Sequence, residues 1–436
     1  TYLLSEKTIV NAALEITRTE LPVDRGLPIG HFSDGSQAIM DVPKSFALHE
    51  TGDISTDKKT QFDLSLSQQF STNWRGELSY SYHQWDGDWH DVQMEELFTE
   101  DGELPIFGMT IPITAGDTIR AAQGYISKEQ TVHQATAQLF GEFTLAGMQH
   151  KITTGVDYSS AKNDLIWGTG ALQTPPFFNI FEPIYGQINS DLVFDSNEYI
   201  QHDTYGVFAN DTIYITDKLI ANLALRYNNY DEHEYWDDGY DYRADDDAVI
   251  GNVGLLYKVI PEASVYMSYA TSYEPNEAMN VLGEVKPTEG KQWELGLKGA
   301  VFNDALQYSL VYFDIAQTNI PNEVDVNGRD MYRLVGEQTS QGVEFDANWQ
   351  INDDLTVLAS FTQLDAKISK DLESPEEEGN TPAGQPELTS SLFANYYFST
   401  LDPNLSMSFG VRYYDEVPNR NDNEFYLPSY TRIDLA

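Results

Sequence analysis

The sequence predicts an all-β fold, a transmembrane antiparallel β-barrel, on three observations. Short segments alternate between apolar and polar residues, aromatic residues gather at segment ends, and tight turns alternate with long polar connections. The segment 405–413 shows the alternation best. Leu405, Met407, Phe409, Val411 and Tyr413 fall on one face, and Ser406, Ser408, Gly410 and Arg412 on the other. A period of two is that of a strand with one apolar face.

Alternation and turn chemistry give about sixteen strand candidates, most of them in hairpins. Phe62-Leu64-Leu66 leads through 71–73 to Leu78-Tyr80-Tyr82, and 131–145 turns at Ala146-Gly147 into Ile152-Thr154-Val156-Tyr158. Tyr205-Val207-Ala209 passes 216–218 into 219–227, and Val253-Leu255-Tyr257 passes 261–263 into Val265-Met267-Tyr269. Trp293-Leu295-Leu297 turns at Asn303-Asp304 into 306–312, and Val343-Phe345-Ala347 passes 352–354 into 355–361. Leu392-Ala394-Tyr396-Phe398 passes Asp402-Pro403-Asn404 into 405–413, and a last segment spans 430–436.

Long connections are expected at 21–58, 93–118, 162–199, 236–247, 273–290, 319–338, 369–386 and 416–428. Each follows an even number of strand reversals, so all fall at one rim. Short turns at one rim and long loops at the other form the outer-membrane barrel pattern, with the long loops extracellular. A soluble sandwich or propeller has no reason to keep that parity. The opposite strand face carries Asp63, Ser65, Ser67, Lys151, Thr153, Gly155, Asp157, Asn222, Arg226, Glu294 and Lys298. A polar lining of this extent implies a wide bore, because a small barrel fills its interior with side chains.

Composition narrows the function classes. No run of about 18 apolar residues exists, so no transmembrane helix is expected, and barrel strands need none. The formal charge of −44, from 25 basic and 69 acidic residues, excludes nucleic acid as a partner class. The acids concentrate in 86–91, 231–247 and 371–378. Two readings stand: solvated, self-repelling loops, or an outer surface that holds divalent cations. With no cysteine there are no disulfides, thiolate metal sites or cysteine nucleophiles. The start, Thr1 to Lys7, has neither an initiator Met nor the basic and apolar regions of a signal peptide, so the chain reads as a piece of something longer.

Several ordered motifs carry a family resemblance. Gly155-Val156-Asp157-Tyr158 with Asn163-Asp164, the run 268–276, Lys286-Pro287-Thr288-Glu289-Gly290-Lys291-Gln292-Trp293-Glu294-Leu295-Gly296-Leu297-Lys298 and Gly342-Val343-Glu344-Phe345 are four of them. Asn380-Thr381-Pro382-Ala383 with Gln385-Pro386, Gly410-Val411-Arg412-Tyr413 and the run 427–434 complete the set. In this order the chain resembles TonB-dependent ferric-siderophore receptors of the bacterial outer membrane, especially the ferrichrome and hydroxamate group. The resemblance spans most of the chain. It implies a barrel of the 22-stranded type with about sixteen strands present, so that residues 1–436 are a partial barrel domain without the plug and the C-terminal strands.

By that resemblance the partners are a ferric siderophore, TonB acting through the absent plug, and outer-membrane lipid and lipopolysaccharide around a monomer. No cofactor is implied, since iron arrives already chelated. The family's aromatic ligand-contact loop falls on Asp24-Arg25-Gly26-Leu27-Pro28; Leu27-Pro28 is kept, while Asp24 and Gly26 replace the aromatics. An anionic chelate meeting Arg25 is one reading, and a salt bridge within the loop is the other. Trp85 and Trp89 read either as interfacial belt residues or as ligand contacts. Tyr125 and Trp167, at the tops of their strands, and Tyr235 and Trp236, within the acidic run, complete the candidate ligand-binding set. Phe177, Phe178 and Phe181 are expected to pack their loop on itself.

Nothing catalytic is expected. The acidic run misses the EF-hand order, and His83, His90, His202 and His233 keep no metal-ligand spacing. There is no G-x-S-x-G, P-loop or dinucleotide fingerprint. The sequence therefore predicts uptake of ferric siderophore through binding and gated transport. A receptor for another nutrient, such as a cobamide or glycan, is the nearest rival. A plugless diffusion porin and an outer-membrane hydrolase are the more distant ones.

Overall fold

The computed structural model describes residues 2–436 except 24–25, 44–45, 51, 107–108, 171–172, 174–176, 187–191, 238, 240, 277–280, 282–285, 326–329 and 402–404. One antiparallel sheet dominates. Its strands are β1 (Tyr2–Ser5), β2 (Thr8–Pro22), β3 (Ile54–Ser71), β4 (Trp74–Leu97), β5 (Asp117–Leu145), β6 (Met148–Gly170), β7 (Leu192–Tyr214), β8 (Leu219–Trp236) and β9 (Asp241–Ile260). It continues with β10 (Ala263–Glu274), β11 (Thr288–Val301), β12 (Leu306–Asp325), β13 (Asp330–Gln350), β14 (Leu355–Lys370), β15 (Leu388–Tyr397), β16 (Ser406–Tyr414) and β17 (Tyr430–Leu435). Every strand pairs with the next in chain order, an up-and-down meander from β1 to β17. The short piece Phe177–Asn179 adds to the start of β5 and brings the sheet to 18 strands. Among the described residues no ladder joins β17 to β1.

Register turns the alternation of each segment into two continuous faces. Val10, Leu66, Leu78, Ala137, Val156, Val207, Tyr227 and Val249 are direct partners from β2 to β9. This row is apolar yet solvent-accessible, with Leu78 56 % and Val249 63 % exposed, as a band that meets lipid requires. The adjacent row is Asn11, Ser65, Ser79, Thr136, Asp157, Gly206, Asn228 and Ala248. It is polar and faces the lumen. Arg226 spans it, donating from Nη1 and Nη2 to the two carboxylate oxygens of Asp157 at 2.7 and 2.8 Å. A side chain at Gly206 would collide with that guanidinium, so the bidentate pair needs glycine there.

The tight turns follow from local chemistry. Ala146 and Gly147 both have positive φ, 52° and 83°, as a two-residue type I′ hairpin demands. Thr216 Oγ1 accepts the amides of Lys218 and Leu219, and Asn352 Oδ1 accepts those of Asp354 and Leu355. The predicted turn at Asp402-Pro403-Asn404 lies outside the described residues.

Three expected loops are mostly strand. β6 and β7 run far into 162–199, β8 and β9 leave only 237–240 between them, and β12 and β13 leave only 326–329. The reason is physical. Above the membrane both faces are wet, so the apolar alternation stops while the backbone ladder continues. The acidic run is thus a hairpin, with Asp231 directly opposite Asp245. The remaining long connections hold three small hairpins, at 29–39, 102–113 and 417–427.

Candidate functional site

Of the predicted contacts, four share the luminal face near the long-loop rim. Trp85 and Trp89 stand on the same face of β4 as Ser79 and Ser81, opposite the lipid-facing Leu78 and Tyr80. This removes the interfacial-belt reading, which needs the other face. Trp89, Ile126 and Trp167 are direct partners across β4, β5 and β6. Trp236 on β8 pairs with Glu198 on β7, whose carboxylate also accepts Trp167 Nε1 at 3.1 Å. Trp236 Nε1 donates to Glu234 at 2.7 Å, and Trp85 Nε1 donates to Asp57 at 2.6 Å. Each of these three indoles is thereby held at its polar edge, leaving its ring to make apolar contact.

Trp85 lies roughly eleven residues above the 72–73 turn, or roughly 36 Å along its strand at ~3.3 Å per residue. At a 45° tilt that is roughly 26 Å of height, level with the top of an apolar band about 25 Å tall. Trp85 therefore sits at the mouth of the lumen, and Trp89, Trp167 and Trp236 lie further up the luminal faces of β4, β6 and β8.

The other predicted residues go elsewhere. Tyr125 faces outward, donating to Asp88 at 2.9 Å, with its ring 4.7 Å from that of His90. Tyr235 also faces outward, stacked on Tyr199 at 4.6 Å and 12°. Arg25 and Asp24 lie outside the described residues, as does Tyr240 of the acidic run.

Burial pushes the Tyr242 phenol above its ordinary range, reinforced by Glu232 and Glu234. Those carboxylates are themselves buried on the luminal side, at 3 % and 1 % exposure. Among the described residues no three His, Asp or Glu side chains are gathered to hold a metal ion.

Above the indoles the long loops are knit into a layer that sequence reasoning missed. Arg120 and Glu50 form an ion pair at 2.6 Å, with both side chains fully buried. Arg120 Nη2 also donates to the Ile184 carbonyl, and Glu50 Oε2 accepts the Gly186 amide, both at 2.7 Å. Asp53 accepts the amides of Glu50 at 2.7 Å and Val92 at 2.9 Å. Burial, opposed in part by these two amides, holds Asp53 above the usual carboxylate range. Phe178 packs against Phe46, Tyr185 and the Arg120 guanidinium. It packs on Tyr185 within its own loop and also ties that loop to Phe46 and Arg120, while Phe181 is 49 % exposed. A lone Arg and a lone Glu at unrelated positions carry no sequence signal of such a pair.

Among these loops opens a cavity of about 900 Å³, lined by Leu27, Pro28, His31, Phe98, Ile180 and, from the last long loop, Arg420 among others. It reaches the upper end of the usual size range of small-molecule sites. Leu27 and Pro28 belong to the loop that resembles the family's ligand-contact motif.

Residues 1–436 match the family described as "TonB dependent receptor-like, beta-barrel" over their whole length. The chain belongs to this family. It is an outer-membrane β-barrel protein. The chain is 30 % identical over 303 residues to the ferrioxamine B receptor of Salmonella typhimurium strain SL1344, covering 69 % of this chain and 42 % of that one. It is 27 % identical over 309 residues to the ferrichrome outer membrane transporter/phage receptor of Escherichia coli K12, covering 68 % and 40 %. The chain thus spans less than half the length of either relative. Its fold is that of the siderophore receptor PiuA from Acinetobacter baumannii, with a TM-score of 0.85 and 19 % identity over 98 % of this chain and 65 % of the other.

Proposed function

We propose that this TonB-dependent receptor barrel takes up ferric siderophore, bound between the loop layer and the luminal indoles. One observation carries the reading: Trp85, Trp89, Trp167 and Trp236 share the luminal face of β4, β6 and β8, at and above the mouth of a wide, polar-walled barrel. A ferric siderophore presents an organic shell with the iron enclosed. Such a ligand is recognised by aromatic surfaces and a few polar groups rather than by metal ligands. The relatives are named receptors and transporters, which supports binding and transport rather than catalysis. TonB would act through a plug within the barrel, pulling it open once ligand is bound. The protein would work as a monomer, embedded in lipid and lipopolysaccharide.

The test is uptake of iron-labelled chelates by iron-limited cells carrying the full-length receptor, with and without TonB. Accumulation of at least one ferric chelate, abolished when TonB is removed, is expected. TonB-dependent uptake of only an iron-free nutrient would move the assignment to a cobamide or glycan receptor.

A further inference from the structure

On the luminal face of β3, β4 and β5, Trp85 carries an ammonium on either flank. Lys59 Nζ lies 5.0 Å and Lys128 Nζ 4.8 Å from its ring centroid. Lys59 is the direct partner of Trp85 across β3–β4, and Lys128 is opposite Gly87 across β4–β5. The indole is fixed by its hydrogen bond to Asp57. A Cβ on Gly87 would come within 3.0 Å of Asp57 Oδ1 and 3.1 Å of Trp85 Nε1, crowding that bond. The site is thus pre-set in shape.

The charge balance is the unusual part. Acids outnumber bases by 69 to 25, and Lys58, Lys151, Lys367 and Lys370 each sit in an ion pair. Among the described residues, Lys59 and Lys128 have no carboxylate within ion-pair distance. Two like charges meet at one ring, and the carboxylate at its edge, Asp57, is engaged by the indole N–H. An anion resting beside the ring would neutralise them.

We infer that Lys59, Trp85 and Lys128 form a recognition tray for an anionic chelate. This inference rests on the siderophore reading and adds the charge class. The ligand would leave negative charge on iron-bound oxygens beside planar rings or carboxylates, as catecholate chelates do and neutral hydroxamate chelates do not. The overall charge of the chain does not oppose this, because exposed charges beyond about 8 Å are largely screened at physiological salt. The ammoniums act within that distance.

The test is binding by the purified full-length receptor, using a trianionic ferric tris-catecholate and a neutral ferric tris-hydroxamate. The wild type should bind the trianion at least about tenfold more tightly, a margin that narrows as salt is added. Lys59→Gln with Lys128→Gln should remove at least about tenfold of the trianion affinity and change the neutral chelate less than about twofold. Lys59→Arg with Lys128→Arg should retain trianion binding, and heat-dependent gel migration will show whether each variant has a folded barrel. Equal or tighter binding of the neutral chelate by the wild type overturns the inference, as does an unchanged trianion affinity in the folded double Gln variant. Binding of neither chelate overturns the tray, while the siderophore reading itself falls only if iron-limited cells take up no ferric chelate through the receptor.

Discussion

Arg120 and Glu50 meet at 2.6 Å with both side chains out of solvent, and they come from separate parts of the chain. Glu50 lies four residues before β3 on the first long loop, and Arg120 is the fourth residue of β5. Their remaining hydrogen bonds reach Gly186 and Ile184 on a third segment. One pair therefore ties two loops to the upper end of β5. Removing one partner from a buried pair leaves the other uncompensated, at a cost of about 3–5 kcal/mol.

Glu50→Ala should therefore release the loop layer while leaving the barrel folded. Limited proteolysis should cut within 23–53 and 171–191 at least about tenfold faster, with heat-dependent gel migration of the barrel unchanged. Adding Arg120→Ala should restore part of the resistance, because it removes the stranded guanidinium. A double variant as labile as the sum of the singles would show that the pair is not coupled.

Asp53 gives the same layer a pH dependence. Its carboxyl is held above the ordinary value of 3.8, chiefly by burial, so the folded layer favours the protonated form. The stabilisation from Asp53 is fully present below that ordinary value and is lost as pH rises through the raised one. Proteolysis of 46–53, normalised to an unstructured peptide, should become faster across that interval. Asp53→Asn, which stays neutral, should flatten the profile.

The two faces of the upper strands make opposite predictions. Trp89→Ala and Trp167→Ala, on the lumen, should each weaken chelate binding by about 5- to 10-fold, the scale of one lost aromatic contact. Tyr125→Ala and Tyr235→Ala, on the outer face, should change it less than about twofold. Titration of the four variants against one ferric chelate decides this, and equal losses from both faces would contradict the assignment of the lumen.

At the β5–β6 hairpin, Ala146 occupies a left-handed conformation, φ 52°, that favours Asn or Gly. Ala146→Asn should raise the urea midpoint of the detergent-folded barrel by an amount equivalent to about 0.5–1 kcal/mol. Gly147→Val, at φ 83°, should lower it by about 1–2 kcal/mol.

Much of the barrel was legible because a lipid band imposes alternation. Leu64, Leu66, Leu78 and Val156 announce their strands, and Ala146-Gly147 and Asn303-Asp304 announce their turns. Above the band that signal ends. Asp231 and Asp245 face each other in a ladder that no pattern of apolar residues marks.

The site was legible in part. Aromatic residues near strand tops singled out Trp85, Trp89, Trp167 and Trp236, yet Tyr125 and Tyr235 share that signature and face the other way. Facing depends on unbroken parity from the lipid band upward, and partners such as Lys59 and Lys128 depend on register between strands. Neither can be counted from one segment alone.

The measurement that tests the account most directly is tryptophan fluorescence of the purified full-length receptor during titration with ferric chelates. Binding at the luminal mouth predicts saturable quenching by the matching chelate. Removing Trp85, Trp89 and Trp167 together should abolish most of the quenching and weaken binding, measured independently, by at least about tenfold. Tight binding that survives their removal in a folded receptor would contradict it.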